Sequence, residues 1–396
     1  MNIAAFSISV LPKIEFGAGV LAKVPGLAAS FGKRVLLVSG GKSLRDSRHW
    51  ESLLLGLRSQ GLEWEAMQVE REPSPQLVDD AVQQFKGAAI DVVIGIGGGS
   101  VLDTAKAIAG LLKPGNSVLD HLEGVGPELP YRGPATPFIA VPTTAGTGAE
   151  ATKNSVLSVH GAAGYKKSFR DEKLVPRYAV VDPDLLETCP PELIAANGMD
   201  ALTQLLESYV SKRANAFTDA LAISGMTAVR DSLVSWFSGE GDQAQARSRM
   251  AYAAMLSGIT LAQVGLGSVH GLASPLGAFF PIPHGVVCGV LVAEATRMNI
   301  DAMEAREPGN PALSKYAQVG RIFRQRTHLE EIGARVFLVH TLSEWTKQLQ
   351  LPSLSAYGVS EASLDHVVAH CRGSSMQTNP IVLSDAEVKA VLQKCL

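Results

Sequence analysis

The stretch Gly198-Met-Asp-Ala-Leu-Thr-Gln-Leu-Leu-Glu-Ser208 carries a carboxylate, Asp200, and an amide, Gln204, four positions apart. On a helix that spacing puts both side chains on one face. A carboxylate with a second donor one turn away is a common beginning of a divalent-metal site, although the second donor is more often imidazole. The pattern is compatible with a metal site, with a site that has lost a ligand, and with an ordinary helix.

Further donors must come from elsewhere in the chain. Of the nine histidines, His49, His121, His160, His328 and His340 stand alone. His366 and His370 form an HxxxH pair with no acidic partner in a catalytic context nearby. His270 and His284 differ, because they lie in the apolar, Gly/Pro-rich segments Gly265–Gly277 and Phe280–Gly285. A histidine there must satisfy its ring nitrogens, which backbone carbonyls can do. Taken with Asp200, the pair also makes a two-histidine, one-carboxylate set suited to Fe(II) or Zn(II).

A second group of residues points to a nucleotide. Asp91-Val-Val-Ile-Gly-Ile96 runs into Gly97, Gly98, Gly99 and Ser100, and a helical pattern follows with Ser100 as a candidate cap and Asp103 in the first turn. Glycines let backbone approach a pyrophosphate, and helix N-terminal N–H groups donate to it. Pro142-Thr-Thr-Ala-Gly-Thr-Gly148 is a hydroxyl-rich turn at another strand end, where Thr143, Thr144 and Thr147 can line the same groove. After Val38 the chain reads Ser39-Gly40-Gly41-Lys42-Ser43, without the carboxylate that commonly holds a ribose diol. Gly40 beside Lys42 and Arg45 predicts acceptance of NADP(H).

The elements that must position these residues fall into two textures. Short apolar runs at 34–38, 91–96, 137–141 and 178–182 each end in a turn, which predicts a Rossmann-like parallel sheet with helices on both faces. Beyond residue 184, helical periodicity dominates at 199–212, 216–236, 245–264, 285–298, 312–325, 330–349 and 383–395. The expected organisation is an α/β dinucleotide-binding domain at 1–184 and an all-α domain at 185–396.

Bulk composition narrows the class. The chain has 396 residues, is 46% hydrophobic and 18% charged, and has a net charge of -3. That profile suits a well-folded soluble protein and gives no sign of a nucleic-acid or membrane partner. The amino terminus alternates apolar and polar residues, which reads as a strand rather than a signal peptide. Cys189, Cys288, Cys371 and Cys395 are far apart with no CxxC pair, which fits reduced thiols in the cytoplasm.

In combination these motifs resemble the iron-containing (group III) alcohol dehydrogenase family over nearly the whole chain. The resemblance runs from Phe16-Gly-Ala-Gly19 through the two glycine turns, Val181-Asp-Pro183, Gly198–Thr203, Val269–Ala273, Pro275-Leu-Gly277 and Pro283-His-Gly285 to Asn379-Pro380. It implies a dehydroquinate synthase-like architecture, a divalent metal (Fe(II) first, Zn(II) second) and NAD(P)(H). It also implies reversible hydride transfer to a small alcohol or aldehyde, and a homo-oligomer, expected as a dimer. Carried over by position, Asp200, Gln204, His270 and His284 take the ligand places. Gly97, Gly98, Gly99, Ser100, Asp103, Thr143, Thr144 and Lys166 (or Lys167) take cofactor places.

Three residues depart from the family pattern. Gln204 and Ser274 each replace histidine, the latter in the proton relay, and Gly40 replaces the ribose-binding aspartate. A metal-independent reductase of the maleylacetate reductase type, a dehydroquinate-synthase-like lyase and a decayed nucleotide-binding protein are the alternative readings.

Overall fold

A computed structural model describes residues 3–161, 163–326 and 328–396; the side chains of Lys42 and Ser43 lie outside the described residues. Contacts gather the chain into two compact units. One comprises Ile8–Val159 and Tyr165–Cys189; the other comprises the described residues up to Ser7, His160–Gly164 and Pro190–Leu396.

The first unit is built on β1 (Lys13–Phe16), β2 (Arg34–Ser39), β3 (Glu63–Gln68), β4 (Val92–Gly97), β5 (Phe138–Pro142) and β8 (Tyr178–Val181), with the hairpin β6 (Asn154–Val159) and β7 (Tyr165–Arg170) inserted. The six-stranded sheet has the order β1-β8-β5-β4-β2-β3, and every pair in it is parallel. Successive residues of β2 show why it is covered twice. Val35 and Leu37 join a core on one face, and Leu36 and Val38 join a core on the other. Side chains alternate across a strand, so a continuous apolar run satisfies both layers.

Among the described residues of the alternating amino-terminal stretch, only Lys13–Phe16 form a strand. Pro12 has no N–H to give to a ladder, and pairing begins at Lys13, whose N–H donates to the Arg177 carbonyl at 3.2 Å. The 1–184 boundary also differs from the observed unit. Leu185 belongs to a core under the sheet, whereas Gly161 N–H donates to the Ala278 carbonyl at 3.1 Å within the helical unit.

The second unit is helical. Its helices include Pro191–Val210, Ala216–Arg230, Leu233–Ser238, Gln243–Val264, Ser268–Phe279, His284–Arg306, Pro311–Arg324, Glu331–Gln348, Leu364–His370 and Asp385–Gln393. The expected 216–236 helix is therefore two helices, broken where the Ser232 hydroxyl turns back onto the Ala228 carbonyl. Ser268–Phe279 is a helix despite three obstacles to reading it: Gly271, Gly277 and an internal Pro275. Among the described residues no single helix is long and apolar enough to cross a membrane.

Lys106 joins the helix that follows β4 to the chain leading into the hairpin. It is fully buried, and its three ammonium protons go to Ala149 O (2.7 Å), Thr152 Oγ1 (2.8 Å) and Asn154 O (2.8 Å). Lys106→Met removes three buried hydrogen bonds from an ammonium, and an expected loss of about 2–4 kcal/mol follows. Urea unfolding measures it, and an unchanged midpoint would contradict the assignment.

Candidate metal centre and nucleotide site

In the helical unit, Asp200, His270, His284 and Cys288 each offer one donor atom, and these atoms all lie within 4.8 Å of one another. Asp200 Oδ1 is 3.2 Å from His270 Nε2 and 3.7 Å from His284 Nε2. Cys288 Sγ is 3.6 Å from His270 Nε2 and 3.8 Å from His284 Nε2. Asp200 is 1% exposed, and its Oδ2 is buried without a hydrogen-bond partner.

Close backbone approach brings these groups together. A Cβ on Gly285 would lie 2.4 Å from the Ala196 carbonyl, and one on Gly289 would lie 2.9 Å from Met199 Cβ. Only glycine at both positions lets the helix opening at His284 rest on the Asp200 helix. His284 and Cys288 are one turn apart and share a face. On the neighbouring helix Gly267 has no capping side chain, so Glu207 Oε1 accepts from Val269 N–H (2.7 Å) and Asn379 Oδ1 accepts from Ser268 N–H (3.0 Å). The amides of a first helical turn need such outside partners.

The other Glu207 oxygen lies 2.7 Å from His270 Nδ1. With Nδ1–H donating to Glu207, the Nε2 lone pair of a neutral His270 faces the Asp200 carboxylate. Two electron-rich atoms at that separation require a cation between them, either a proton or a metal ion. Burial alone would favour a neutral His270, yet Cys288 and the hydrogen bonds to Asp200 and Glu207 hold it well above its ordinary value. Burial alone would raise Asp200, but the imidazoles of His284 and His270 hold it below the usual carboxylate value. The Cys288 thiol is pushed up to about 12, mainly by burial. The carboxylate with an unpartnered oxygen and two inward-facing imidazoles fit a divalent cation.

Gln204 is buried one turn after Asp200, and the Ser257 hydroxyl lies 2.6 Å from its Oε1 and 2.8 Å from the Ala254 carbonyl. Ser274 is half-buried, one turn beyond His270. His366 and His370 lie apart from the cluster and pack against the Phe279 ring, with centroids at 4.4 and 5.4 Å.

In the α/β unit, β4 ends at Gly97 and the helix Gly99–Leu111 begins at once. Its N-cap is Gly98, with no side-chain cap, so Ser100 lies inside the first turn and does not cap it. The N-terminal amides are thereby left to an outside acceptor. A Cβ on Gly99 would lie 2.8 Å from Thr147 Oγ1, and Thr143 N–H donates to Gly97 O at 2.9 Å. The two expected turns thus meet, with Thr143 and Thr147 against the glycines, and Thr144 is 3.3 Å from where a Gly98 Cβ would be.

Asp103 and Lys166 have protein partners here. Asp103 Oδ2 accepts from Val156 N–H at 3.2 Å, and Lys166 Nζ is 3.4 Å from Glu72 Oε1. Burial raises Asp103 to about 6 against the pull of Lys106. Gly40 N–H donates to Ile96 O at 3.3 Å. Arg45 donates to Gln68 Oε1 at 2.8 Å, and the Lys42 side chain lies outside the described residues.

Two residues at this donor cluster were not expected from the sequence. Cys288 carries a readable signal, the His284-x-x-x-Cys288 spacing. Glu207, two helical turns beyond Asp200, carries a weaker one.

A dinucleotide-binding type of parallel sheet and a helical unit with a buried donor cluster define the class. The profile described as iron-containing alcohol dehydrogenase matches residues 12–183, and that of the Fe-containing alcohol dehydrogenase family, C-terminal, matches residues 194–396. The chain is 31% identical over 399 residues to the NADPH-dependent butanol dehydrogenase of Clostridium saccharobutylicum, spanning 97% of this chain and 96% of that protein. It is 28% identical over 389 residues to the NAD-dependent methanol dehydrogenase of Bacillus methanolicus, spanning 97% and 98%. The solved structure of an iron-containing alcohol dehydrogenase from Thermotoga maritima is similar at a TM-score of 0.83 and 28% identity, covering 99% of each chain. The chain belongs to the iron-containing alcohol dehydrogenase family, and it is an oxidoreductase acting on CH–OH groups. These relatives do not favour the lyase, metal-independent or decayed-site alternatives.

The Glu207–His270 pair yields a direct expectation. Glu207→Gln keeps the shape but removes the charge that orients the imidazole, and metal affinity should fall by roughly 10–100-fold. A competitive chelator titration measures this, and unchanged affinity would show that Glu207 serves only as a helix cap.

Proposed function

We propose that this enzyme reduces small aldehydes, and oxidises the matching alcohols, with NAD(P)(H) and a divalent metal held by Asp200, His270 and His284. The observation that carries the reading is the buried Asp200 carboxylate, with Oδ1 facing two imidazoles and Oδ2 without a hydrogen-bond partner. Hydride transfer to a carbonyl builds negative charge on its oxygen, and a bound Fe(II) or Zn(II) supplies the Lewis acidity that stabilises it. Gln204 is the fourth residue of the expected ligand set, as a direct amide ligand or as a hydrogen-bond partner of a metal-bound water.

The chain's own groups do the remaining work. Glu207 fixes the His270 ring so that Nε2 is directed inward. Ser274 can pass a proton only through water, because its hydroxyl is far too weakly acidic to act as a base near neutrality. Gly97, Gly98 and Gly99 expose the first-turn amides to the cofactor phosphates, and Ser100, Thr143, Thr144 and Thr147 surround that turn. Asp103 and Lys166 complete the proposed cofactor set, each anchored by the contacts above. Gly40 brings no carboxylate to the adenosine ribose, which supports use of NADP(H). A cytoplasmic homodimer belongs to the same reading.

An NADPH-oxidation screen over small aldehydes tests this. Asp200→Asn and chelation should each lower kcat/KM by about 10³-fold or more, which is several kcal/mol of lost charge stabilisation. Activity surviving Asp200→Asn would overturn the metal-dependent reading. Gly40→Asp tests the cofactor side, since its Cβ would meet Val101 Cγ2 at a tolerable 3.4 Å. The NADPH-to-NADH ratio of kcat/KM should fall in that variant. A constant ratio would sink the ribose argument.

A further inference from the structure

Three donors hold the candidate metal, and the fourth protein place has two contenders. Gln204 is placed by sequence, four residues beyond Asp200, but one end of its amide already meets the Ser257 hydroxyl at 2.6 Å. A hydroxyl carries a single proton. If that proton goes to the Ala254 carbonyl at 2.8 Å, the amide end facing Ser257 is the NH2, and if not, it is the oxygen. In both arrangements Ser257 holds the amide in a hydrogen bond.

Cys288 is held differently. Its sulfur faces two imidazole nitrogens at once, 3.6 and 3.8 Å away, and one S–H cannot serve both. Bonds of about 2.0–2.3 Å from a tetrahedral ion to N, O and S donors imply donor–donor separations of about 3.3–3.7 Å. Four donor separations, 3.2 and 3.7 Å from Asp200 Oδ1 and 3.6 and 3.8 Å from Cys288 Sγ, scatter about that range. Cys288 is also fully buried, so nothing but this cluster and the surrounding core is there to use its sulfur.

We propose that Cys288, and not Gln204, is the fourth protein donor, so that this enzyme holds its metal in an Asp200/His270/His284/Cys288 site. The inference rests on the metal-centre reading above. Binding exchanges the thiol proton for the metal: Cys288–SH and M(II) give Cys288–S–M(II) and one released proton, with no change of oxidation state. A thiolate adds a second negative charge to that of Asp200, so the loaded site is about neutral rather than about +1. Soft thiolate favours Zn(II) over Fe(II), a preference that an amide oxygen would not give.

The test uses the full-length enzyme stripped of metal and reloaded with one equivalent of Zn(II) or Co(II). X-ray absorption on the zinc form should show one sulfur at about 2.3 Å, and the cobalt form should show a near-ultraviolet thiolate-to-metal charge-transfer band. Both signals should persist in Gln204→Ala and vanish in Cys288→Ser. Zinc affinity should fall at least about tenfold in Cys288→Ser, the lower end of what losing even an outer partner costs. Metal bound at one per chain without a sulfur neighbour in the wild type would overturn the cysteine assignment and leave the metal centre standing. A wild type that takes up no metal would overturn both. The wild-type spectra decide the matter even if a variant fails to fold.

Discussion

A carboxylate buried with one oxygen unpartnered organises this molecule. Removing an ionised group from water is costly unless charge and hydrogen bonds replace the lost solvation. Asp200 has two imidazoles on one oxygen and no donor on the other. The helical unit is arranged around that demand. Gly285 and Gly289 let one helix close on the Asp200 helix, and Glu207 fixes the orientation of His270 while capping the helix that carries it. Removing any of these supports leaves the carboxylate in place but without compensation, which is why packing and chemistry are hard to separate here.

The α/β unit meets a different constraint with similar means. Its parallel sheet is buried on both faces, so function is confined to strand ends. At the end of β4 three glycines admit both the 142–148 turn and an uncapped helix terminus. Below them the Lys106 ammonium, shifted down to about 8 by burial against the attraction of Asp103, satisfies all three protons on the backbone and hydroxyl that lead to the hairpin. A rigid platform beneath an open turn suits a site that must bind phosphate without reorganising.

Much of this was legible in the sequence because it is local. The apolar runs ending in glycine gave the strands, and the spacing of Asp200 and Gln204 marked the correct helix. His270 and His284 stood out as polar residues in apolar segments. Features set by tertiary contact were harder to read. Ser100 has the chemistry of a cap, but the chain enters its helix two residues earlier than that role requires. Ser268–Phe279 reads as a loop on local preference because Gly271 and Pro275 disfavour helix, and packing overrides them. Cys288 looked like a scattered thiol until the fold placed it beside two histidines. Lys166 and Asp103, expected at the cofactor, already have protein partners in Glu72 and Val156.

The central claim is that the buried Asp200 carboxylate, facing two imidazoles, belongs to a cation. Anomalous diffraction from crystals of the enzyme loaded with zinc or iron, recorded across the absorption edge, tests it most directly. The account predicts one strong peak per chain, within bonding distance of Asp200, His270 and His284. A peak elsewhere, or none, would contradict it.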